Sequence, residues 1–480
     1  MTKKQIIAAF LFAASLLSTL VSCGSSSDTG EASTKAPDAS AAITEEGTTG
    51  LEDLYGIKSA DMGGEELVLL TGQHAEYEYM IEKETGDIVE DAVYYRNRAV
   101  EELLNVSLSF VSEANWKNSD PFYKTIRTDI MAGDSSYDII NGLNVYTTCL
   151  IFDDLFLRMD EIDSIDFSHP WWVPGISLEG NDEVYYAFTD ASLSLYKDLY
   201  VIFFNQSFVQ NNGLENPYDH IENNTWTIDT FMKLASEGSR DINGDGKIEE
   251  EIDQLAYVAK HASNRSFMTA TETSLFVRDA NGVPTLEGVS ERLTNVYEKM
   301  KPFLSDRSLT FVTTEPDMIL LAKPFIEERA LFMSNCLIAV EGMRNMQTDY
   351  GIVPFPKYDE AQENYHTQIA TSTSAIYLPT TAENPEMLGT VLEALGFYSW
   401  RDVVPTYYEI ALGDKYARDE TVVRMLDLVR ASASTNIDFA YGAIFNTYDI
   451  INAAWEKKEL ASWYARTEKS VLKKLEEYIG

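Results

Sequence analysis

The hydrophobic and polar positions between residues 199 and 239 follow three successive patterns. Residues 199–204 are an unbroken run of apolar, β-branched and aromatic side chains, which predicts a strand covered on both faces. Residues 205–213 predict one short helix that stops at Gly213. Residues 225–239 predict a second helix, because their apolar residues recur at helical spacing. The pattern in this part of the chain is therefore strand, helix, helix.

Strands and helices also alternate in the region that follows residue 64, where the globular part is predicted to begin. The pattern predicts strands at 66–70, 106–111 and 137–141, separated by helices at 87–104 and 122–131. This alternation favours a parallel sheet covered on both faces. Ligands of such sheets bind beyond the carboxyl ends of the strands. The candidate ligand contacts are therefore the residues that follow the first and third strands: Gln73, His74, Asn144 and Tyr146.

A series of short motifs resembles a known family. A strand ends in a Phe-Asn pair at 204–205, a Thr-Trp dipeptide at 225–226 opens the next helix, and an acidic loop carries Asp-Gly at 245–246. Downstream come the stretch DYGIVPFPK at 349–357 and a helix start, NPE, at 384–386. The order and spacing of these motifs are similar to those of the family 1 extracellular solute-binding proteins of ABC importers, which include maltose-binding protein.

The resemblance covers nearly the whole chain after residue 64 and implies an α/β fold of two lobes. This periplasmic-binding-protein-like fold has two mixed sheets flanked by helices and a hinge of three crossings. The crossings would lie near Asp190, Ser374 and Gly413. The lobes would be built from four segments, namely 63–189 plus 375–412 for the first and 190–374 plus 413–480 for the second.

The resemblance also implies a function. Its members capture a solute, here expected to be a carbohydrate and most often an oligosaccharide, and deliver it to an ABC permease as monomers. The candidate contacts at the hinge and in the second lobe are Asp190, Asn335 and Tyr441. Tyr441 is the favoured aromatic platform, because it lies in a predicted loop, 436–442, between two helices that should flank the cleft.

Composition narrows the classes of partner. The formal net charge of −40 makes nucleic acid a poor partner, because phosphate binding depends on clustered Lys and Arg. The five histidines are scattered, and neither a nucleophile elbow nor a phosphate-binding glycine loop is present, so no catalytic site or cofactor is indicated. A glycosidase needs only two placed carboxylates. A surface-anchored glycan-degrading enzyme therefore stays an alternative, as does a glycan-adhesion module that transports nothing.

Aromatic and sulfur-containing residues leave their roles open at this stage. The chain has 27 Tyr, 22 Phe and 7 Trp, which serve both as core and as stacking surfaces for polar ligands. The adjacent Trp171 and Trp172 fit either a sugar clamp or a loop packed on the core. Cys149 and Cys336 stand in apolar surroundings, which favours two buried free thiols over a bridge.

An acidic loop that begins at Asp241 carries oxygen donors at every second position. Gly246 supplies the sharp turn at position six, and Ile252 stands at position twelve, where a calcium loop of the EF-hand type has a bidentate Glu. Glu251 or Asp253 could substitute for that ligand. The spacing predicts a structural Ca²⁺ site, with a solvated acidic turn as the alternative. Its proposed ligands are Asp241, Asn243, Asp245, the carbonyl of Lys247, and Glu249.

The first 23 residues have the pattern of a bacterial lipoprotein signal peptide. Two lysines precede an apolar run at residues 6–20, and the sequence Leu-Val-Ser-Cys closes at Cys23. Cys23 is therefore the expected lipidation site and mature N-terminus, although a simple secretory signal is an alternative. Residues 24–62 are expected to be a disordered tether, because they contain few large apolar residues. Together these segments predict a protein anchored by lipid on the extracytoplasmic face of the cell membrane.

The lipid anchor gives the first testable prediction. We expect Cys23→Ser to release the protein from the membrane fraction, because stable anchoring of this kind depends on acyl chains attached at the cysteine. Membrane fractionation and intact-mass spectrometry of wild type and variant measure the effect. A Ser variant that still sediments with membranes, at a mass without lipid, would contradict the lipobox interpretation.

Overall fold

The computed structural model describes residues 47–134, 136–176, 178, 183–249, 251–280, 282–313, 322–344, 346–416, 419–447 and 459–479. The chain divides into two compact units, residues 1–59 and 60–480. Cys23, the signal segment and most of the predicted tether lie outside the described residues. Within the described ranges, none of the helices has both the length and the apolar character needed to cross a membrane.

The described residues form fifteen β-strands: β1 Glu65–Gly72, β2 Val106–Glu113, β3 Ile139–Leu143, β4 Trp172–Pro174, β5 Ala187–Thr189, β6 Tyr200–Asn205, β7 Leu255–Lys260, β8 Phe276–Arg278, β9 Pro284–Leu286, β10 Thr310–Thr313, β11 Ala330–Cys336, β12 Tyr350–Val353, β13 Thr367–Gln368, β14 Ser374–Tyr377 and β15 Ala433–Ser434.

The α-helices of the described residues are α1 Gly47–Leu54, α2 Glu76–Tyr79, α3 Ile88–Leu104, α4 Pro121–Met131, α5 Asn144–Thr147, α6 Ser194–Lys197, α7 Gln206–Asn212, α8 Pro217–Glu222, α9 Ile228–Ser236, α10 Ser266–Ala270, α11 Glu291–Ser305, α12 Lys323–Ile326, α13 Val340–Met343, α14 Pro385–Tyr398, α15 Val404–Tyr416, α16 Glu420–Ala431, α17 Ile437–Ala440, α18 Gly442–Phe445 and α19 Leu460–Ile479.

The larger sheet has six strands in the order β2-β1-β3-β14-β5-β4. Strand β1 pairs in parallel with β2 and β3, whereas β14 runs antiparallel to β3 and β5. The carboxyl ends of β1, β2 and β3 therefore share one edge with the amino end of β14. We call this the strand-end edge. The lobe built on this sheet is the first lobe.

The second sheet has five strands in the order β10-β7-β11-β6-β12 and forms the second lobe. Strand β7 is parallel to β10 and β11, and β6 is antiparallel to β11 and β12. Both large sheets are therefore mixed, as the predicted fold class requires. Two small sheets, β13 with β15 and β8 with β9, complete the strand pairings. The residue limits of the lobes stay a prediction.

The position of strand β6 explains the unbroken apolar run at residues 199–204. Its side chains alternate between two buried apolar clusters, with Ile202 and Phe204 in one and Val201 and Phe203 in the other. All four are 0% exposed. Since both faces of the strand are covered, apolar residues occupy every position rather than every second one.

Local start and stop signals stand at the helix ends, among them the stop predicted at Gly213. Asn205 caps α7 by accepting a hydrogen bond from the Phe208 amide, and Gly213 ends that helix in the left-handed conformation. Asp87 caps α3, and Asp419 caps α16. These caps satisfy amide groups that have no partner within the helix.

Two of the predicted crossings fall at defined elements of the structure. Gly413, near which the third crossing is predicted, lies within the continuous helix α15. The first crossing, near Asp190, follows directly after the short strand β5. Cys149, half-buried, and Cys336, buried, are free thiols.

The tryptophan pair packs on the core of the first lobe. Trp171 and Trp172 are 0% and 5% exposed, and both indole N–H groups donate to the Glu393 carboxylate at 2.9 Å. The same carboxylate accepts the Asp166 amide at 2.7 Å and contacts His169 Nδ1 at 2.9 Å. One carboxylate of α14 therefore anchors the whole loop, which identifies the Trp pair as structural and not as a sugar clamp.

This anchor can be tested by substitution. We expect Glu393→Gln to lower the free energy of unfolding by about 2–4 kcal/mol, because an amide loses the charge and part of the acceptor capacity that the buried N–H donors need. Denaturant melts measure the change, and the exposed Glu383→Gln on the preceding loop is the control. Equal stability of both variants would contradict the anchoring role.

Candidate functional site

The strand-end edge brings together the four contacts predicted from the first and third strands. His74 Nε2 lies 3.0 Å from the hydroxyl of Ser374, the first residue of β14. The Asn144 amide donates to the carbonyl of Thr373 at 3.0 Å, and the Val145 amide donates to Thr371. The edge thus meets the segment that crosses back from the second lobe.

The four residues differ in how far their side chains are available. Gln73 is exposed, and His74 and Tyr146 are partly exposed. Asn144 is 2% exposed, and its side-chain oxygen accepts the Thr148 hydroxyl at 2.7 Å. Burial lowers the pKa of His74, so its imidazole is neutral near pH 7. Gln73 therefore presents a neutral polar group to a ligand, whereas both ring nitrogens of His74 already lie within hydrogen-bond distance of protein groups, at Asn115 and Ser374.

The buried carboxylate of Glu78 joins two segments beside the strand-end edge. Its oxygens accept the Asn141 side-chain amide at 2.9 Å and the Ser194 backbone amide at 2.7 Å. Glu78 is 0% exposed. Burial, together with the nearby Glu78 carboxylate, raises the pKa of Asp198 to about 6, although the Ser372 hydroxyl donates to Asp198 and opposes the shift. Two acidic groups thus stand beside the crossing segments.

Asp190, the predicted hinge contact, is part of a buried ion pair. Arg430 of α16 donates to it at 2.6 Å, and the Tyr196 hydroxyl donates to its other oxygen at 2.7 Å. Burial would lower the pKa of Arg430, but the Asp190 carboxylate and Tyr196 raise it above its usual value. Because both carboxylate oxygens have protein partners, a ligand can contact Asp190 only if one of these hydrogen bonds opens.

Asn335 lies at the carboxyl end of β11 in the second lobe. It is 0% exposed, and its side-chain oxygen accepts the Cys336 amide at 2.8 Å. Beside it, the Ser334 hydroxyl contacts Tyr257 at 2.6 Å and Ser263 at 2.7 Å. Asn264 accepts from the Tyr257 hydroxyl, and its own side-chain N–H group finds no partner among the described residues. This polar network was not predicted from the sequence, since serine and tyrosine in apolar strands carry no distinctive spacing.

Tyr441 occupies a different setting from the one predicted. It stands between the short helices α17 and α18, is 1% exposed, and donates its hydroxyl to the Ile176 carbonyl at 2.5 Å. Its ring centroid lies 5.8 Å from that of Phe152. The ring is therefore covered by protein in this conformation and does not offer an open face for stacking.

A cavity of about 250 Å³ lies beside Ile176, which follows β4 of the first lobe. Its remaining lining comes from strand β8 and from the start of α17 in the second lobe, so elements of both lobes surround it. It is smaller than the roughly 300–1,000 Å³ of typical small-molecule pockets. The lining residues are Ile176, Ser274, Phe276, Val277, Arg278, Thr435, Asn436 and Ile437.

Asp438 is a buried carboxyl next to this cavity. It is 0% exposed, and one oxygen accepts the Ser274 hydroxyl at 2.5 Å and the Leu275 amide at 3.2 Å. The other oxygen has no hydrogen-bond partner among the residues described. Burial raises the pKa of Asp438 to about 6, despite the two hydrogen bonds that lower it.

The Asp241 loop has its carboxylates turned toward backbone amides. Asp241 accepts the Gly244 and Gly246 amides at 2.6 and 2.7 Å. Asp253, which is 0% exposed, accepts the Ile242 and Glu249 amides and so closes the loop. In the part of the chain that the structure describes, no three His, Cys, Asp or Glu side chains are grouped so that they could hold a metal ion.

Sequence reasoning missed one exposed aromatic residue at the strand-end edge. Trp116 follows β2 and is 60% exposed, and its indole stands edge-on to His74 at 5.5 Å between ring centroids. The rule that indicated Gln73 and His74, namely the position after a parallel strand, applies equally to the loop after β2 and would have found Trp116.

Several solved structures share this architecture. The cyclo/maltodextrin-binding protein complexed with maltotetraose aligns over 88% of this chain and 99% of that protein, with a TM-score of 0.54 and 11% identity. The GacH receptor of Streptomyces glaucescens, solved unliganded and with acarbose, aligns over 86% and 99%, with a TM-score of 0.53 and 10% identity. An ABC transporter solute-binding protein from Agrobacterium radiobacter, in complex with ribitol, aligns over 88% and 99%, with a TM-score of 0.51 and 10% identity. No protein-family model and no curated protein matches the chain.

The chain has the two-lobe fold of the solute-binding proteins. At identities of 10–11% the comparison shows the fold alone. It confirms the predicted fold class, and it confirms the resemblance at the level of the fold. The candidate binding surfaces are the strand-end edge, the Ser334 network and the cavity beside Ile176. Which predicted residues touch a ligand stays a prediction.

The buried Asp438 gives a prediction on pH. Because its folded-state pKa exceeds the usual value of 3.8, its contribution to stability is fully present below about pH 4 and is lost as the pH rises through about 6. Asp438→Asn should therefore raise the free energy of unfolding by about 1–3 kcal/mol at pH 7.5 and change it little at pH 4. Melts at both pH values measure this, with the exposed Asp219→Asn as control. A destabilised variant at pH 7.5 would contradict the argument.

Proposed function

We propose that this protein is a solute-binding protein of an ABC import system that captures a carbohydrate between its two lobes. The observation that carries the proposal is the fold it shares with sugar and polyol receptors. Proteins bound to maltotetraose, acarbose and ribitol align over 86–88% of this chain. The exposed, neutral amide of Gln73 at the strand-end edge suits a neutral oligosaccharide, whose hydroxyl groups both donate and accept hydrogen bonds.

Closure of the lobes is the proposed mechanism. Elements of both lobes converge at the crossings, where Arg430 of α16 pairs with Asp190 and Tyr441 contacts Ile176. A ligand that touches both lobes binds the closed form better and so shifts the population towards closure. The permease would then recognise the closed form. The proposed contacts from the sequence, Gln73, His74, Asn144, Tyr146, Asp190, Asn335 and Tyr441, belong to this proposal.

The remaining parts of the proposal concern location and assembly. A lipid on Cys23 would hold the protein at the extracytoplasmic face of the membrane, and the acidic stretch after it would act as the tether. We propose that it works as a monomer with the transmembrane subunits of a permease. A glycan-degrading enzyme would release product with time, whereas a receptor only saturates, and an adhesion module would bind without any import.

The proposal predicts saturable binding of a neutral carbohydrate with compaction. Titration calorimetry of the full-length protein against maltotetraose, cellotetraose, xylotetraose, mannotetraose, glucose and ribitol should show binding of at least one, and small-angle scattering should show a smaller radius of gyration with it. Product analysis over hours tests the enzyme alternative, since the receptor should leave the glycan intact. Cleavage, or no binding to any member of the panel, would contradict the proposal.

We also propose that the Asp241 loop binds a structural Ca²⁺. The spacing of its donors supports this, because Asp241, Asn243 and Asp245 carry hard oxygens at positions one, three and five of the loop. The Lys247 carbonyl and Glu249 would complete the set, and the side chains would have to exchange amide contacts for the ion. Ile252 offers no side-chain oxygen at position twelve, so Glu251 or Asp253 would have to take that place.

Chelation tests this site. A chelator should lower the melting temperature by several degrees, because a bound ion stabilises only the folded chain. Asp245→Ala should abolish the difference between melts with and without chelator, while the distant Asp219→Asn should keep it. Identical melts of the wild type in both conditions would end the calcium proposal.

A further inference from the structure

Trp116 stands apart from the other tryptophans in the described part of the chain. Trp171, Trp172, Trp226 and Trp463 are at most 7% exposed, and Trp400 is partly buried, whereas Trp116 is 60% exposed. Single exposed apolar side chains are common on protein surfaces, so exposure alone assigns no role. What matters is how the indole is held and what lies beside it.

The loop that carries Trp116 is held firmly by the preceding residue. Asn115 is 0% exposed, and its side-chain amide contacts His74 Nδ1 at 3.0–3.1 Å. The Tyr123 hydroxyl donates to the Asn115 carbonyl at 2.6 Å. The side chain of Asn115 lies very close to Gly72. A Cβ on residue 72 would be only 1.8 Å from the Asn115 side-chain nitrogen. The glycine at the end of β1 therefore allows this loop to lock onto the strand-end edge, and the indole is presented on rigid backbone.

The surface next to the indole is the edge already identified as a candidate binding surface. The imidazole of His74 meets the indole at an interplanar angle of 67° and reaches Ser374 on its other side. Gln73, exposed, comes directly before it. An apolar ring thus lies near an uncharged hydrogen-bonding group, the exposed Gln73 amide, and this combination fits the two kinds of surface on a sugar ring. The C–H face of a pyranose packs on an aromatic ring, and its hydroxyl groups need polar partners.

We propose that Trp116 is a stacking platform for one ring of a bound oligosaccharide at the outer part of the strand-end edge. The inference rests on the proposed carbohydrate-binding function and adds to it a residue that contacts one ring of the ligand. An acyclic polyol has no ring face to stack. A single sugar enclosed at the crossings would leave this exposed indole unused. The geometry therefore assigns a ligand of several rings, of which one lies on Trp116.

The first arm of the test uses the wild-type protein and its own fluorescence. Trp116 is the exposed indole among the described tryptophans, so acrylamide should quench it most readily. Whichever of maltotetraose, cellotetraose, xylotetraose and mannotetraose binds in calorimetry should protect this fraction from quenching, whereas the matching monosaccharide should not. Trp116→Phe should remove the quenchable fraction and identify the signal. The protection is measured on the wild-type protein, so the result does not depend on whether a variant still binds the ligand.

The second arm measures affinity. Trp116→Ala should weaken binding of the tetrasaccharide about 10-fold, which corresponds to about 1.4 kcal/mol and to the upper range for aromatic contacts. Trp116→Phe should keep affinity within about threefold, because a ring remains. Met131→Ala is the matched control, since Met131 is 73% exposed and ends α4, which leads to the opposite edge of the sheet. It should bind as the wild type does.

The outcomes separate the two proposals. Protection from quenching together with a selective loss in Trp116→Ala supports the platform. A tetrasaccharide that binds wild type and Trp116→Ala equally, with no protection, overturns the platform and leaves the carbohydrate receptor intact. Binding of ribitol or glucose but of no tetrasaccharide also overturns the platform, because it assigns a small enclosed ligand. If the wild type binds no carbohydrate, the proposed function fails, and the platform fails with it.

Discussion

The insertion of β14 between β3 and β5 is the interaction on which the rest of the structure depends. It pairs Ser374 with Leu143 and Tyr377 with Ile140, residues separated by more than 230 positions in the sequence. Closing so long a loop costs conformational entropy, which the ladder hydrogen bonds and the burial of a 0%-exposed strand must offset. Because β14 enters antiparallel, its first residue stands at the carboxyl ends of the parallel strands. This places Ser374 against His74 and creates the strand-end edge.

Buried carboxylates hold the segments that meet around this insertion. Glu78 ties β3 to the start of α6, Asp190 ties the first crossing to α16, and Glu393 anchors the tryptophan loop. Burying a carboxylate is costly unless it is hydrogen-bonded or paired, and each of these has several partners. These groups hold the irregular segments in one geometry where apolar packing alone would leave them free to slide. An acidic protein thus uses a few of its carboxylates inside the fold.

The aromatic residues show that composition does not separate core from ligand surface. The adjacent Trp171 and Trp172 have the spacing of a possible clamp, yet both indoles donate to one buried carboxylate. Tyr441 is enclosed between the lobes, where its hydroxyl reaches Ile176. Trp116, in a polar loop without a distinctive motif, is the exposed ring among the described tryptophans. An aromatic side chain can serve either purpose, and its neighbours in space determine which purpose it serves.

The sequence by itself determined the elements and the fold class. Apolar periodicity and the stop at Gly213 act within a few residues, so they can be recognised without knowing the fold. The strand-end rule placed Gln73 and His74 correctly at an edge, because parallel strands determine where their own carboxyl ends lie. It could not determine which side chains stay free. The pairing of Asp190 with Arg430, the covering of Tyr441 and the lock of Asn115 on Gly72 join residues far apart in the chain. Only the tertiary structure decided these, because burial and hydrogen bonding depend on distances in space that no local pattern encodes.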